Sequence, residues 1–162
     1  MRRLIRALVI AALVGLPEAG LADHPTQGME TLTGVPGVAI EVAPLDSRLS
    51  RNGVTRQAVR RAVSRALDAA GIATDGGQHT ARLHVRLDTR HATPRFLALS
   101  IELDLRQHVR LERAPERVIS ATTWSNAAVT PLREGDHGAV AGRVADLVRQ
   151  TFIRDFRAAN PQ

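Results

Sequence analysis

Apolar and polar positions alternate over residues 37–45, with Val38, Ile40 and Val42 on one side and Ala39, Glu41 and Ala43 on the other, before Pro44 closes the run. A period of two is the mark of a half-buried strand. After a polar connection over 46–54, the period changes. Val59, Val63, Ala66, Leu67 and Ala70 recur at helical spacing, and Arg56, Arg60, Arg61 and Arg65 fall largely off that stripe. Thr55 is placed to cap this helix, because its hydroxyl can accept an orphan backbone N–H, and Gly71 is placed as a left-handed stop. Beyond the glycine-rich loop Asp75-Gly76-Gly77, Leu83, Val85 and Leu87 alternate with Arg82, His84, Arg86 and Asp88 as a second strand. Residues 89–95 turn the chain. A long third strand carries Leu97, Leu99, Ile101, Leu103, Leu105, Val109 and Leu111 on one parity, and Ser100, Glu102, Asp104, Arg106, His108 and Arg110 on the other. A turn over 112–116 leads into a fourth strand over 117–124, rich in β-branched Val118, Ile119, Thr122 and Thr123. A loop over 125–138 precedes a last helix, in which Val140, Val144, Leu147, Val148, Thr151, Phe152 and Phe156 share a face and Asn160-Pro161 ends the run. Asp136 is positioned as its cap.

The predicted order is β-α-β-β-β-α. The first strand–helix–strand unit calls for a right-handed crossover, and the last three strands for an antiparallel meander. Each helix has one apolar stripe and the strands have one apolar face, so the economical assembly is an α+β two-layer sandwich: a four-stranded, largely antiparallel sheet with both helices on one face. Setting Asp88 opposite Phe96 pairs Leu87 with Leu97, Arg82 with Glu102 and His84 with Ser100. In that register His84 and His108 lie eight residues apart, about 26 Å at the rise of a strand. Setting Leu111 opposite Arg117 puts Ile119, Ala121 and Thr123 with the core and Trp124, the single Trp, on the open face. Trp124 is therefore either an exposed anchor for a partner or, through a bulge or a strand end, part of the core; the second reading is favoured.

Residues 1–22 have the form of a secretory signal peptide. Arg2, Arg3 and Arg6 precede an apolar run through Leu16, Pro17 breaks it, and Gly20-Leu21-Ala22 sets small residues where a signal peptidase reads. The run is shorter than the roughly 20 residues a spanning helix needs, so cleavage is favoured over a membrane anchor, and no transmembrane segment is expected after it. The expectation is a periplasmic protein, with a flexible lead-in over 23–36 (Pro25, Gly28, Gly34, Pro36) and a single domain over 37–161. Cys is absent, which excludes a disulfide framework, a lipobox, thiolate metal sites and a Cys nucleophile.

Net charge is +6 for the whole chain, and the leader's three Arg and one Glu leave +4 after cleavage. Every basic side chain is Arg, scattered among acids rather than massed. Tyr is absent and Phe occurs three times, so base-stacking platforms are lacking and nucleic acid is not an expected partner. An envelope protein or an anionic envelope surface is. The Arg face of the first helix suits the latter.

Chemistry is sparse. His79 and His91 sit in loops at opposite ends of the second strand, and no set of histidines has metal-ligand spacing, so no metal or other cofactor is expected. Asp136-His137 near Ser125 could supply part of a hydrolytic trio, but no Gly-x-Ser-x-Gly elbow exists. Glu102 and Asp104 resemble paired glycosidase carboxylates, yet Arg106 and Arg82 neighbour them as an ion-pair lattice would. Gly76-Gly77 lacks the flanking residues of a phosphate cradle.

The segment Ala121-Thr122-Thr123-Trp124-Ser125 closing a strand, and the terminal Phe152-Ile153-Arg154-Asp155-Phe156 followed by Asn160-Pro161, resemble an uncharacterised family of small exported bacterial proteins. That family has no assigned activity, so the resemblance lends no catalytic residue. More distantly, the element order is similar to that of the lipopolysaccharide-assembly lipoprotein of the outer membrane and related envelope domains, which implies a binding or scaffold module. The sequence thus points to a non-enzymatic periplasmic binding or adaptor domain, with Trp124, Arg106, His108 and His84 as partner contacts. The alternatives are a small hydrolase using His137 with Asp136, or a protein that binds an anionic envelope surface.

Overall fold

A computed structural model describes residues 28–74, 81–93 and 95–161. Residues 1–22, anticipated as a signal peptide, residues 23–27 of the anticipated lead-in, the Asp75-Gly76-Gly77 segment and His79 lie outside the described residues. Four strands form one sheet in the order β1 (Ala39–Val42), β2 (Arg82–Thr93), β3 (Phe96–Leu111) and β4 (Ala114–Arg133). β1 runs parallel to β2, and the other neighbours are antiparallel. The helices are α1 (Ser47–Arg51), α2 (Arg56–Asp68), α3 (Val140–Val148) and α4 (Arg154–Ala159), the last two joined through a π turn, Arg149–Ile153. This is the α+β sandwich that the periodicities call for. Leu83, Val85, Leu87, Leu97, Leu99, Ile101, Leu103 and Leu105 are all buried on one sheet face, against Val59, Val63 and Leu67 of α2 and Val140, Val144 and Val148 of α3. Thr55 Oγ1 accepts the Ala58 N–H at 3.1 Å, and Gly71 ends α2 with a φ of +76°, both in the roles their positions suggest.

Four departures matter for the site. First, β2 continues to Thr93, where it pairs with Phe96, so Asp88 faces Ser100 rather than Phe96. The shift is four residues. An even shift keeps every side chain on its own face, and for that reason alternation alone could not detect it. Residues 89–93 carry no apolar alternation, and they pair because β3 offers them a partner edge. Second, the polar connection after β1 contains α1. Asp46 Oδ1 accepts the N–H groups of Arg48 and Leu49, both at 2.8 Å, and Leu49 is fully buried. Asp46 Oδ2 also accepts the Thr89 hydroxyl at 2.7 Å, which ties the connection to the extension of β2.

Third, β4 is 20 residues long and replaces most of the anticipated 125–138 loop. Pro131 is tolerated because, among the described residues, β4 pairs only with β3, leaving its other side an edge. Fourth, part of the lead-in belongs to the domain. A 3-10 turn, Met29–Leu32, buries Leu32, and Val35 is buried beside it. Asn160 clamps this segment: its Nδ2 donates to Leu32 O at 2.9 Å, and its Oδ1 accepts the Gly34 N–H at 2.8 Å.

Candidate binding face

The Trp motif and the terminal motif meet in the interior. β3 and β4 pair regularly up to Leu105 opposite Trp124; the next pair is Arg106 with Thr122, which leaves Thr123 as an inserted residue. The bulge reverses parity, so Ile119 and Trp124 point to the same side despite their odd spacing. Trp124 is 1% exposed. Its ring meets Phe152 edge-on at 5.2 Å, and Phe152 in turn lies 5.9 Å from Phe156. The indole Nε1 donates to Asp155 Oδ2 at 3.1 Å, and Arg154 Nε donates to Asp155 Oδ1 at 2.9 Å. A carboxylate only 3% exposed needs such partners to remain in an apolar site. The exposed-anchor alternative for Trp124 is thereby corrected: the indole is a core group held by a polar clamp.

The bulge carbonyl is also occupied. The single hydroxyl proton of Thr31 is shared between Gly28 O, at 2.7 Å from Oγ1, and Thr123 O, at 3.0 Å. Gly28, at φ +90°, passes so close that a Cβ there would lie 1.9 Å from Thr123 O. The sequence gives no sign of Thr31's role, and it marks Asp155 and Asn160 only as members of the terminal segment, not as polar clamps. The available signal was Asp155, a lone acid inside an apolar helical stripe.

The opposite sheet face carries the remaining candidates. Reading across the strands, one row is Arg82, Arg106 and Thr122; the next is Glu41, His84, Asp104 and Ser125; then come Arg86, Glu102 and Ala127; then Asp88, Ser100 and Val129. Arg86 Nη2 lies 3.3 Å from Glu102 and 3.7 Å from Asp104, and Arg90 Nε lies 3.8 Å from Asp88. The ion-pair lattice is present, but Arg86 is its centre. Arg82 faces Arg106 instead of Glu102, and among the described residues neither holds an ion pair. His84 is flanked by Glu41 and Asp104, and its Nδ1 is buried without a partner.

His84 pairs with Asp104, four residues along β3 from His108, so the two rings are separated by about 13 Å rather than 26 Å. That distance still prevents a shared metal ion, and among the described residues no group of three or more His, Cys, Asp or Glu side chains could hold one. Arg106, His108 and His84 therefore share one face, with Trp124 on the other.

Beyond Arg106 the sheet narrows. Among the described residues, β3 from Gln107 onward pairs only with β4, making a two-stranded arm on which Val118 and Ile119 are exposed. The hydrolase set is not assembled. His137 is buried and Asp136 exposed, and among the described residues no hydrogen bond joins their side chains. On α2, Arg56, Arg60, Arg61 and Arg65 are all exposed. Among the described residues no helix is long and apolar enough to cross a membrane.

No protein-family model matches the chain, and no curated protein matches it. Among solved structures it is similar to a minor lipoprotein from Acinetobacter baumannii, at 12% identity and a TM-score of 0.44, over 78% of this chain and 93% of that one.

Proposed function

We propose that this protein is a non-enzymatic binding or adaptor domain of the periplasm, working through the uncovered face of its sheet, with Arg106, His108 and His84 among the contacts. One observation carries the reading. Every buried sheet residue packs on the helix side, while the other face, from β2 to the 20-residue β4, is left to solvent by the described residues. That face is divided. Charge is concentrated on β2 and β3, whereas β4 presents the small uncharged side chains Ser125 and Ala127 beside Val129. A charged field next to an uncharged strip gives a partner both register and contact area. The Trp124–Asp155 clamp holds the far side of the sheet rigid and takes no part in contact. The leader-like residues 1–22 support export.

The test is capture from a periplasmic extract by the exported protein, compared with Arg106→Glu/His108→Glu. The expected result is loss of a specific partner at an unchanged melting temperature. Capture unaffected by the double substitution contradicts the reading, as does turnover of an ester or glycoside panel. A second reading is favoured by a separate observation: Arg56, Arg60, Arg61 and Arg65 are exposed together on α2 and hold no ion pair among the described residues. Salt-sensitive binding to anionic vesicles, abolished by Arg56→Glu/Arg60→Glu, would establish that surface instead.

A further inference from the structure

We infer that β4 is a self-pairing edge, and that two copies of this chain join through residues 125–129 about a two-fold axis at Ala127. Edge strands are hazards that folds ordinarily blunt with charge, proline, bulges or a covering segment. On either side of residues 125–129, β4 is blunted at two places. At one, the Thr123 carbonyl accepts the Thr31 hydroxyl under the covering turn. At the other, Pro131 has no N–H and its carbonyl accepts Arg143 Nη1.

The alternation of the sheet shows what lies between them. Ala39 N–H bonds to Ala81 O and Ala43 N–H to Val85 O, so the odd residues of β2 face β1 and its even residues face β3. Carried through the register, the even residues of β3 face β2, and their partners Ser125, Ala127, Val129 and Pro131 turn their backbone groups outward. Three consecutive outward residues thus offer three N–H and three C=O groups with no partner among the described residues. All three are exposed and uncharged, and Val129 is 71% exposed.

A second copy fits this stretch better than an unrelated strand, because the stretch is its own complement. A two-fold at Ala127 sets Ala127 against its equivalent and Ser125 against Val129 of the other copy. No like charges meet, which is the usual obstacle to isologous strand pairing. The next pair would be Thr123 with Pro131. Both carbonyls are occupied there and one N–H is missing, so the ladder closes after six hydrogen bonds. On the helix side a groove lined by Ile101, Ala128, Thr130, Leu147 and Gln150, with Arg143 and Asp146 at its charged margin, lies between α3 and the edge, and Arg143 spans it to Thr130 and Pro131. An axis perpendicular to the sheet keeps both helix layers on one side. The two bare faces then join into one eight-stranded surface.

The absence of cysteine makes the test clean. In the proposed pair Ala127 and its equivalent are a hydrogen-bonded antiparallel pair, whose Cα atoms lie about 5.5 Å apart, within disulfide reach. Mild oxidation of Ala127→Cys should give a covalent dimer, and Val118→Cys on the exposed arm should not. Sedimentation equilibrium of the unmodified chain should show a concentration-dependent dimer. Ala127→Pro, which removes only an outward N–H, should weaken it at least about 10-fold, and Ala127→Lys should do the same through charge repulsion. A chain that stays monomeric at ~1 mM overturns the inference, as does equal cross-linking of both Cys variants or a dimer indifferent to Ala127→Pro. An edge that captures another protein's strand while the chain itself stays monomeric also overturns it. None of these failures would touch the binding role of the bare face, which the Arg106→Glu/His108→Glu comparison reads separately.

Discussion

At the scale of single residues, the side chains that look most functional in the sequence turn out to hold the fold. Trp124, Phe152, Asp155 and Asn160 belong to the segments 121–125 and 152–161, and each is engaged in the interior or at a clamp. Trp124→Ala should cost roughly 3–5 kcal/mol in denaturant unfolding, as large aromatic deletions in a core do. Asp155→Ala should cost about 1–3 kcal/mol by leaving the indole N–H unpaired. Equal stability of the wild type and either variant would place Trp124 outside the core. Asp46 gives a prediction in pH. Burial pushes its carboxyl up, but hydrogen bonds from Leu49 N–H, the Thr89 hydroxyl and Arg48 N–H outweigh burial and hold it below its ordinary value. A carboxyl depressed in the folded state stabilises fully above its unfolded value, near 3.9, and loses that contribution as pH falls through the folded one. Melting temperature should therefore drop on acidification below about pH 4 more steeply in the wild type than in Asp46→Asn. Parallel curves would refute the role.

At the scale of elements, strand parity and helix stripes were legible and strand ends were not. Leu97 to Leu105 alternate without interruption, so β3 and its buried face could be read directly. The four-residue slip of β2 could not, because both registers bury Leu83, Val85 and Leu87. The bulge at Thr123 hides for a related reason. Ile119, Ala121 and Thr123 form one credible parity, and only the pairing of Leu105 with Trp124 reveals the inserted residue. Gly28 marks where that bulge is covered. Gly28→Ala adds a Cβ against Thr123 O at a backbone angle L side chains avoid, so it should release the Met29–Leu32 turn at a cost of about 1–3 kcal/mol. Hydrogen exchange at Thr31 and Val35 would report it. Unchanged protection at both would mean that the turn is held by other contacts.

At the scale of the whole molecule, the fold is two-sided. One side is closed by helices, an aromatic cluster and the Asn160 clamp, and the other is a charged field bordered by an uncharged strip along a free edge. The sequence located Arg106, His108 and His84 on that open side correctly, since their parity survived the slip, and it set them too far apart because the register did not. Which sheet face is bare decides the rest. The most direct measurement is the rate of thiol labelling of single cysteines placed along β4 in this cysteine-free chain, at dilute concentration. Cysteines at Ser125 and Val129 should react rapidly, and cysteines at Ala128 and Leu132 slowly. Equal rates at the four positions, or the reverse pattern, would mean that the helices cover the other face and that the account is wrong.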